Sequence, residues 1–170
     1  NSKYISEVFV DTDCESIIEV SRYYGAKIIN RPEYLSGDTI NHGDVIRNSC
    51  KEVLKINKVD IFVILLGNTV MIDSDLIDES LSLLMNDKDA TGVCSVWRAA
   101  DDHPQRAMEL KAGYLYSHSS VIPQEDATTD RSSYKPAFFY DQGVWAFKSK
   151  NLENPKGPAT WNWLGDKVIP

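Results

Sequence analysis

The sequence has few of the features that mark membrane or secreted proteins. No apolar run approaches the roughly 20 residues that a membrane-spanning helix needs, and no signal-peptide pattern is present. The three cysteines, Cys14, Cys50 and Cys94, are too few and too scattered for a disulfide framework. Each lies in a segment with apolar periodicity, so we expect buried free thiols. These absences favour a cytoplasmic protein.

The sequence also has no excess of basic residues. The 170 residues include 18 Lys and Arg against 25 Asp and Glu, giving a net charge of −7. Such a charge argues against nonspecific binding to nucleic acid or to anionic membranes. It leaves room for a small anionic ligand held by local basic residues. The length and a hydrophobic content of 42% suit one globular domain with a real core.

Several catalytic motifs are absent. His42, His103 and His118 are dispersed, without HxH or HExxH spacing, which argues against a histidine metal site. There is neither a GxSxG elbow nor a P-loop, so acyl hydrolases and P-loop NTPases are excluded. We expect no metal ligands among these residues.

Strand and helix patterns alternate along the first part of the chain. Strands are predicted at Val8–Val10, Lys27–Ile29, Ile61–Leu66 and Val93–Trp97. Helical patterns lie between them. The alternation indicates an α/β fold with a mainly parallel, doubly wound sheet.

Local signals place the helices more closely. A capping box formed by Thr12 and Glu15 predicts the start of the first helix, in which Ile17, Val20 and Tyr24 recur at helical spacing. The second helix is expected to carry an apolar face of Val45, Ile46, Val53 and Leu54. The third helix is expected to be capped by Asp73 or Ser74, with Leu81 and Leu84 facing inward.

The alternation stops at residue 98. Residues 98–140 are polar, rich in Ser and Thr and interrupted by prolines, which predicts an insertion of loops and short strands within a single domain of residues 1–170. A strand resumes at Gly143–Phe147, and Pro155–Trp163 is predicted to be loop-like. The insertion holds a modest basic group, Arg106, Lys111, Arg131 and Lys135, which suits either a carboxylate or phosphate ligand or a solvated surface.

Polar side chains follow the predicted strands, at the edge where α/β sheets bind ligands. Arg31 precedes a proline that fixes the backbone, so its guanidinium is a candidate for a phosphate contact. Pairing with Glu33 or Asp38 is an equal alternative. Gly67 and Asn68 suit base or sugar recognition, but they equally suit an ordinary turn.

Asp11 and Asp13 follow the first strand. Two carboxylates at this place are able to bind a metal ion. Helix capping or bonding to loop amides is the favoured interpretation.

The stretch VFVDTDCESIIEVSRYYGAKIINRPEYLSGDT closely resembles the V-S-T-D…Y-G-A…R-P-E-x-L-S-G-D-T signature of the acylneuraminate (CMP-sialic acid) cytidylyltransferases. The similarity continues through the VDIFVILL strand and the DLIDESLSLL helix. His103–Arg106 resembles the family's His-Pro-x-Lys segment, and Asp141–Phe147 resembles its N-G-A-I-Y-A-F strand. The resemblance therefore covers nearly the whole chain.

The resemblance implies a Rossmann-like nucleotide-diphospho-sugar transferase fold in which residues 98–140 are a dimerisation insertion. It implies transfer of CMP from CTP to an acidic sugar of the sialic-acid class, with release of pyrophosphate and with Mg²⁺ as cofactor. It further implies a cytoplasmic homodimer.

The resemblance also implies site residues. By position, the nucleotide would be contacted by Arg31, Asn41 and His42. Asn68, which offers an amide in the turn after the third strand, is the fourth candidate for a nucleotide contact. The sugar site would include Gly67, Arg106, Arg131 and Trp145, with Arg106 and Arg131 reaching into the partner's site.

The departures from the family pattern that bear most on function are at Gly67, Asp73 and Phe139. Gly67 stands where a glutamine helps hold the sugar, and Asp73 and Phe139 stand where the family has arginines. These departures indicate a different acceptor, such as an octulosonate or a phosphonate, or a noncatalytic homologue that binds a nucleotide or sugar. A nucleotidyltransferase that uses another NTP is a further alternative.

Two parts of the family pattern are not found in these residues. The strand and the Gly-rich, basic phosphate loop would precede Asn1, and the metal-binding D-x-D would follow Pro170. We therefore expect a fragment of a longer polypeptide, with the Mg²⁺ ligands outside it. The missing strand would leave a gap between Val8–Val10 and Ile61–Leu66.

Overall fold

The computed structural model describes residues 2–118, 128–158 and 160–170, with the side chain of residue 131 left aside. The alternation of strands and helices predicted from the sequence is confirmed through the fourth strand. The elements are β1 (Phe9–Thr12), α1 (Glu15–Tyr23), β2 (Lys27–Asn30), α2 (His42–Ile56), β3 (Ile61–Ile64), α3 (Ser74–Asn86), β4 (Gly92–Arg98), β5 (Met108–Lys111), β6 (Tyr114–Ser117), β7 (Phe138–Lys148) and β8 (Val168–Ile169).

In the described residues, the strands form three sheets. β1 and β2 pair in parallel, with Asp11 opposite Ile29. A second sheet has the order β3-β7-β4-β8, in which β7 is antiparallel to β3 and β8 is parallel to β4. β5 and β6 form an antiparallel hairpin. The α/β class is confirmed, and the antiparallel strand β7 makes the larger sheet mixed.

The β1-β2 pair is separate from the larger sheet. Among the described residues, β1 pairs with β2 and β3 pairs with β7, so β1 and β3 do not join edge to edge. Val8, just before β1, leaves 56% of its surface exposed. This arrangement agrees with the gap expected between these two segments.

The chain divides into two compact units. The first contains the residues up to Ser95 together with Gln142–Pro170, and the second is Val96–Asp141. The larger unit holds the α/β elements. The smaller one holds the β5-β6 hairpin and a short 3-10 turn at Pro104–Arg106.

The core of the first unit lies where α3 packs on the larger sheet. Leu81 and Leu84 of α3 are buried against Val93 and Ala146. The Asp73 carboxylate accepts a hydrogen bond from the Leu76 N–H over 2.9 Å, which confirms the predicted cap. Apolar burial of this kind is the main stabilising contribution to the unit.

The second helix follows its prediction with one exception. Val45, Ile46 and Val53 are buried, whereas Leu54 leaves 40% of its surface exposed. Asn41 caps the helix.

The prediction for α1 was wrong in two respects. Its N-cap is Cys14, whose N–H donates to Thr12 Oγ1 over 3.1 Å, so Thr12 lies outside the helix rather than at its cap. Ile18 is the buried residue of the helix, while Ile17 and Val20 are about half exposed. Helical spacing shows which residues share a face but does not show that the face is covered.

The cysteine prediction needs a related correction. Cys50 and Cys94 are buried, and burial raises the pKa of the Cys50 thiol to about 12. Cys14 is exposed, because it caps α1 at the surface.

The tail is more ordered than the predicted loop. Trp163 and Leu164 are fully buried in a short 3-10 turn. The side-chain amide of Asn151 lies 3.1 Å and 2.9 Å from their carbonyl oxygens. Gly165 follows at φ +89°, where a Cβ would meet Thr91 Oγ1 at 2.3 Å, so only glycine fits.

The second unit presents an apolar face on its hairpin. Leu110 pairs with Leu115, and Met108 lies on the same face of the ribbon. All three side chains are more than half exposed. Such a face on a two-stranded ribbon is unusual unless another surface covers it.

No helix in the described parts of the chain is long and apolar enough to cross a membrane.

Candidate nucleotide site

Arg31 lies immediately after β2, and Asp11 lies in the neighbouring strand β1. Arg31 Nε donates to Asp11 Oδ1 over 2.8 Å, and Arg31 Nη2 donates to the Asp11 carbonyl over 2.9 Å. Parallel pairing of β1 and β2 brings these two positions together. Arg31 therefore pairs with Asp11, whereas Glu33 and Asp38 were the acids expected under the alternative to a phosphate contact.

Asp11 has a second partner. Its Oδ2 accepts from the hydroxyl of Ser49, whose Oγ also lies 2.8 Å from the Val45 carbonyl within α2, so the single hydroxyl proton is shared between the two acceptors. Both carboxylate oxygens are thus engaged. The Asp11 carboxylate acts as a fixed support for the guanidinium, which still has N–H groups free of these bonds.

Asn41 and His42 form the start of α2. The Asn41 side chain accepts from the Gly43 N–H over 2.8 Å, so it is a helix cap. The pKa of His42 is lowered, first by partial burial of its ring and then by the positive charge of Arg31, while Asp11 acts in the opposite direction. Ser49, which binds Asp11, lies seven residues after His42 on the same face of α2, so this face of the helix borders the Arg31–Asp11 pair.

An aromatic group borders His42. The ring of Trp161 lies 6.3 Å from that of His42, centroid to centroid, at an interplanar angle of 90°. Trp161 also lies 4.6 Å from Trp145. Gly43 allows the close approach of this segment, because a Cβ there would lie 3.3 Å from the Thr160 carbonyl.

Gly67 and Asn68 follow β3 in an exposed turn. Thr69 closes the turn by donating from its N–H to the Leu66 carbonyl over 3.0 Å, and its hydroxyl reaches the Gln142 carbonyl over 3.0 Å. A Cβ built on Gly67 would have no heavy atom within 4 Å, and its φ is not left-handed. The backbone therefore does not require glycine here, and the space for a side chain is open.

Trp145 occupies a core position. It lies opposite Ile64 in the β3-β7 pairing and leaves 1% of its surface exposed. Trp161 and Trp163 pack against its ring. Its predicted contact with the sugar remains a prediction, and in this structure its side chain serves to support Trp161.

Arg106 and Arg131 belong to the second unit. Arg106 Nη1 lies 3.2 Å from Asp101 Oδ1, in a pair that is largely open to solvent. Arg131 begins a short 3-10 turn, and its side chain lies outside the described part of the structure. The roles expected of both residues at the sugar remain predictions.

His103 orders the turn that carries Arg106. Its Nδ1 accepts from the Gln105 N–H over 3.2 Å, so its Nε2 is the protonated nitrogen and donates to the Lys135 carbonyl over 2.9 Å. Tyr134 stacks on the ring with centroids 4.8 Å apart. In the sequence, His103 is one of three histidines without a recognisable spacing. In the structure it is buried and joins the backbones of Gln105 and Lys135 within this unit.

A resident metal centre does not fit the described residues. No group of three or more His, Cys, Asp or Glu side chains in that part of the chain is placed to hold a metal ion. Asp11, the best candidate by sequence, is occupied by Arg31 and Ser49.

Sequence reasoning missed two contributors to this site, Ser49 and Trp161. Ser49 lies 38 positions from Asp11 along the chain. Trp161 lies in the segment predicted to be a loop. A tryptophan in a polar segment indicates local packing, because such a large aromatic side chain usually has a packing partner. That signal could have identified Trp161.

Comparisons with known proteins identify the fold and a protein of similar sequence. A search of solved structures finds CMP:2-keto-3-deoxy-manno-octonic acid synthetase complexed with CTP, with a TM-score of 0.60 and 16% sequence identity. The match covers 91% of this chain and 61% of that one. The fold is that of this synthetase. The predicted nucleotide-diphospho-sugar transferase fold is thereby confirmed.

The sequence comparison agrees. The chain is 26% identical over 161 residues to the 3-deoxy-manno-octulosonate cytidylyltransferase of Thermodesulfovibrio yellowstonii. The match covers 91% of this chain and 63% of the relative, so the chain spans less than two thirds of the length of the protein that it matches. No protein-family model matches.

The relative refines the resemblance drawn from the motifs. A resemblance to cytidylyltransferases is confirmed by the match. Membership of the acylneuraminate branch remains a prediction, because the matched proteins are named for an octulosonate.

Proposed function

We propose that this chain carries the nucleotide-binding part of a cytidylyltransferase that transfers CMP from CTP to an acidic sugar and releases pyrophosphate. The observation that carries the proposal is the Arg31 guanidinium held by Asp11, which in turn binds Ser49 of α2, in a chain similar to such an enzyme. This edge, beyond the carboxyl ends of parallel strands, is where α/β folds bind nucleotides.

The reaction explains why a fixed cation is needed. The anomeric hydroxyl oxygen of the sugar forms a bond to the α-phosphorus, its proton leaves, and the bond from the α-phosphorus to the bridging oxygen breaks. Negative charge spreads over the phosphate oxygens as pyrophosphate departs. Arg31, oriented by Asp11 before the substrate binds, stabilises this charge without reorganisation at the moment of reaction. Asn41, His42 and Asn68 complete the nucleotide contacts in this proposal.

The acceptor is proposed to be a 2-keto acid sugar. The motifs favour a nonulosonic sugar of the sialic-acid class, and the names of the similar proteins favour an octulosonate. Both sugars present a carboxylate that Arg106 and Arg131 are suited to bind. Gly67, without the family's glutamine, removes a polar contact and leaves open space at the end of β3.

Mg²⁺ is an expectation of the family resemblance, as the counter-charge of the triphosphate. When bound, it would neutralise phosphate charge during transfer. Since the described residues do not form a metal site, its ligands are proposed to lie outside them. A cytoplasmic location likewise remains a prediction.

We further propose a homodimer formed through the second unit. Met108, Leu110 and Leu115 give that unit an exposed apolar face, and apolar contacts dominate stable homodimer interfaces.

The test of the activity uses the full-length protein, CTP, Mg²⁺ and a panel of nonulosonic, octulosonic and phosphonic acids, with pyrophosphate release as the readout. We expect release with CTP and one class of acid, and little with UTP or ATP. Arg31→Ala should abolish it, whereas Arg22→Ala, an exposed arginine in the last turn of α1, should not. No release across the panel would contradict the proposal, and preference for another NTP would indicate a different nucleotidyltransferase.

A noncatalytic homologue is the second candidate. The observation that favours it is the absence of a side chain at Gly67, where the family pattern has a sugar-binding glutamine. Calorimetry that shows CTP binding without turnover on any acceptor would support this alternative.

A further inference from the structure

Trp161 differs from the other aromatic residues that surround it. Trp145 and Trp163 leave 1% and 0% of their surfaces exposed, whereas Trp161 is only half-buried. Its ring centroid lies 4.6 Å from that of Trp145 and 6.0 Å from that of Trp163. Trp161 is therefore the outermost ring of a packed aromatic group, and part of its indole meets solvent.

The backbone around Trp161 is held in place on both sides. Its N–H donates to the Pro158 carbonyl over 2.8 Å, and its carbonyl accepts from the Leu164 N–H over 2.9 Å. Asn151 fixes the buried turn that follows. A partly exposed aromatic ring on such a segment is oriented in advance, so binding of a ligand against it costs little conformational entropy.

The ring also borders the candidate nucleotide site. The perpendicular His42 ring is 6.3 Å away, so the two rings do not stack on each other. His42 begins α2, and Ser49, seven residues later on the same face of that helix, binds Asp11 of the Arg31–Asp11 pair. A flat apolar surface and a fixed cation thus border the same face of α2.

We propose that Trp161 provides the aromatic surface against which the pyrimidine base of the nucleotide packs. The inference rests on the proposed function, because it assumes that the phosphates lie toward Arg31. A nucleotide combines a planar base with an anionic chain, and Trp161 and Arg31 complement one part each. Stacking on an aromatic ring tolerates any base, so Trp161 supplies affinity, while polar groups such as Asn41 and Asn68 supply the preference for cytosine.

The test compares ligands that contain different parts of the nucleotide. Binding of CTP, cytidine and inorganic triphosphate is measured by calorimetry on the full-length protein and on Trp161→Leu and Trp161→Phe. Loss of the ring should weaken CTP and cytidine by about 10-fold and leave triphosphate unchanged. Trp161→Phe should retain most of the affinity. Trp97→Leu is the matched control, since Trp97 is also partly exposed but stacks on Phe139 in the second unit.

A second measurement needs no substitution at Trp161. In Trp97→Phe protein, CTP and cytidine should shield the exposed indole from acrylamide quenching, and triphosphate should not. This readout remains informative if Trp161→Leu fails to fold.

The outcomes separate this inference from the proposed function. The role of Trp161 would be overturned if Trp161→Leu bound CTP as tightly as wild type does, or if it lost equal affinity for CTP and for triphosphate. Either result would leave the cytidylyltransferase proposal standing. Wild-type protein that binds no nucleotide at all would overturn both.

Discussion

The guanidinium of Arg31 is held by Asp11 through two separate contacts, from Nε to the carboxylate at 2.8 Å and from Nη2 to the backbone carbonyl at 2.9 Å. The pair is mostly shielded, with 26% and 13% of the two side chains exposed. The V-S-T-D signature has serine where this chain has Asp11, so the pair distinguishes this chain from the pattern that it resembles. Asp11 is therefore a positioning residue for Arg31.

Two substitutions of Asp11 should separate the effect of its negative charge from the effect of its hydrogen bonds to Arg31. Asp11→Ala removes the acceptors for Arg31 Nε and for Ser49, so we expect a loss of about 1–3 kcal/mol in the free energy of unfolding and a clear loss of CTP affinity. Asp11→Asn keeps an acceptor for Arg31 and should bind CTP at least as well as wild type. Urea unfolding and calorimetry measure the two effects, with Asp13→Ala, an exposed neighbour, as the control. Equal CTP affinity in the Ala and Asn variants would contradict the positioning role.

Much of the fold followed from local signals in the sequence. The apolar runs of β3 and β4 and the cap at Asp73 are encoded by neighbouring residues, and the structure confirms them. The contact between Arg31 and Asp11 joins residues 20 positions apart, and their partnership depends on which strands lie side by side. Local periodicity does not contain that information.

The misjudged segments have the same cause. Ile17 and Val20 have the spacing of a buried face but remain about half exposed, because no described element covers them fully. Trp163 and Leu164 lie in a polar stretch and are fully buried, and Trp163 packs against Trp145 and Phe147 of β7. Burial is decided by tertiary neighbours, which a single sequence does not reveal.

Gly43 is expected to control the distance between α2 and the Trp161 segment. A Cβ at this position would lie 3.1 Å from Asn41 Oδ1 and 3.3 Å from the Thr160 carbonyl. Alanine favours a helix over glycine by about 1 kcal/mol, which should offset part of the steric cost. We therefore predict that Gly43→Ala changes the unfolding midpoint little but displaces Trp161, seen as a shift in tryptophan fluorescence and weaker CTP binding. Gly37→Ala, where the nearest contact is an ordinary 3.6 Å, should change neither.

Gly67→Gln tests the largest departure from the family pattern. The space around the position is open and the φ is not left-handed, so glutamine should fit without loss of stability. If the family's sugar site is conserved elsewhere, the added amide should lower the KM for a nonulosonic acid and leave the KM for CTP unchanged. Gly67→Leu, similar in size but without the amide, is the control. An equal effect of both variants would show that bulk, not hydrogen bonding, matters here.

His42 should make nucleotide binding depend on pH. Partial burial and Arg31 lower its pKa below the ordinary value of 6.5, so the imidazole is neutral at pH 7 in the unbound protein. A bound triphosphate favours the charged imidazolium and raises that pKa. The affinity for CTP that the imidazolium adds is therefore fully present below the pKa of His42 in the unbound protein. It is lost as pH rises through the pKa of His42 in the complex.

The measurement is the CTP dissociation constant between pH 5 and pH 8. Relative to His42→Asn, wild type should gain about 5-fold in affinity at the acid end, which corresponds to ~1 kcal/mol for a partly exposed ion pair. Protonation of the phosphates affects both proteins alike and cancels in the comparison. Parallel curves for the two proteins would show that His42 does not face the nucleotide.

The dimer proposal is tested on the hairpin of the second unit. Leu110 and Leu115 are opposite each other in β5 and β6 and leave 70% and 68% of their surfaces exposed. In the double variant Leu110→Lys with Leu115→Lys, two positive charges lie opposite each other on the face of the ribbon that a partner would cover. We expect sedimentation velocity to show a dimer for wild type and a monomer for the double variant. Tyr114→Ser, on the opposite face of the same ribbon, is the control and should remain dimeric. A wild-type protein that sediments as a monomer at micromolar concentration would contradict the proposal, because an apolar interface of this kind should hold the copies together in that range.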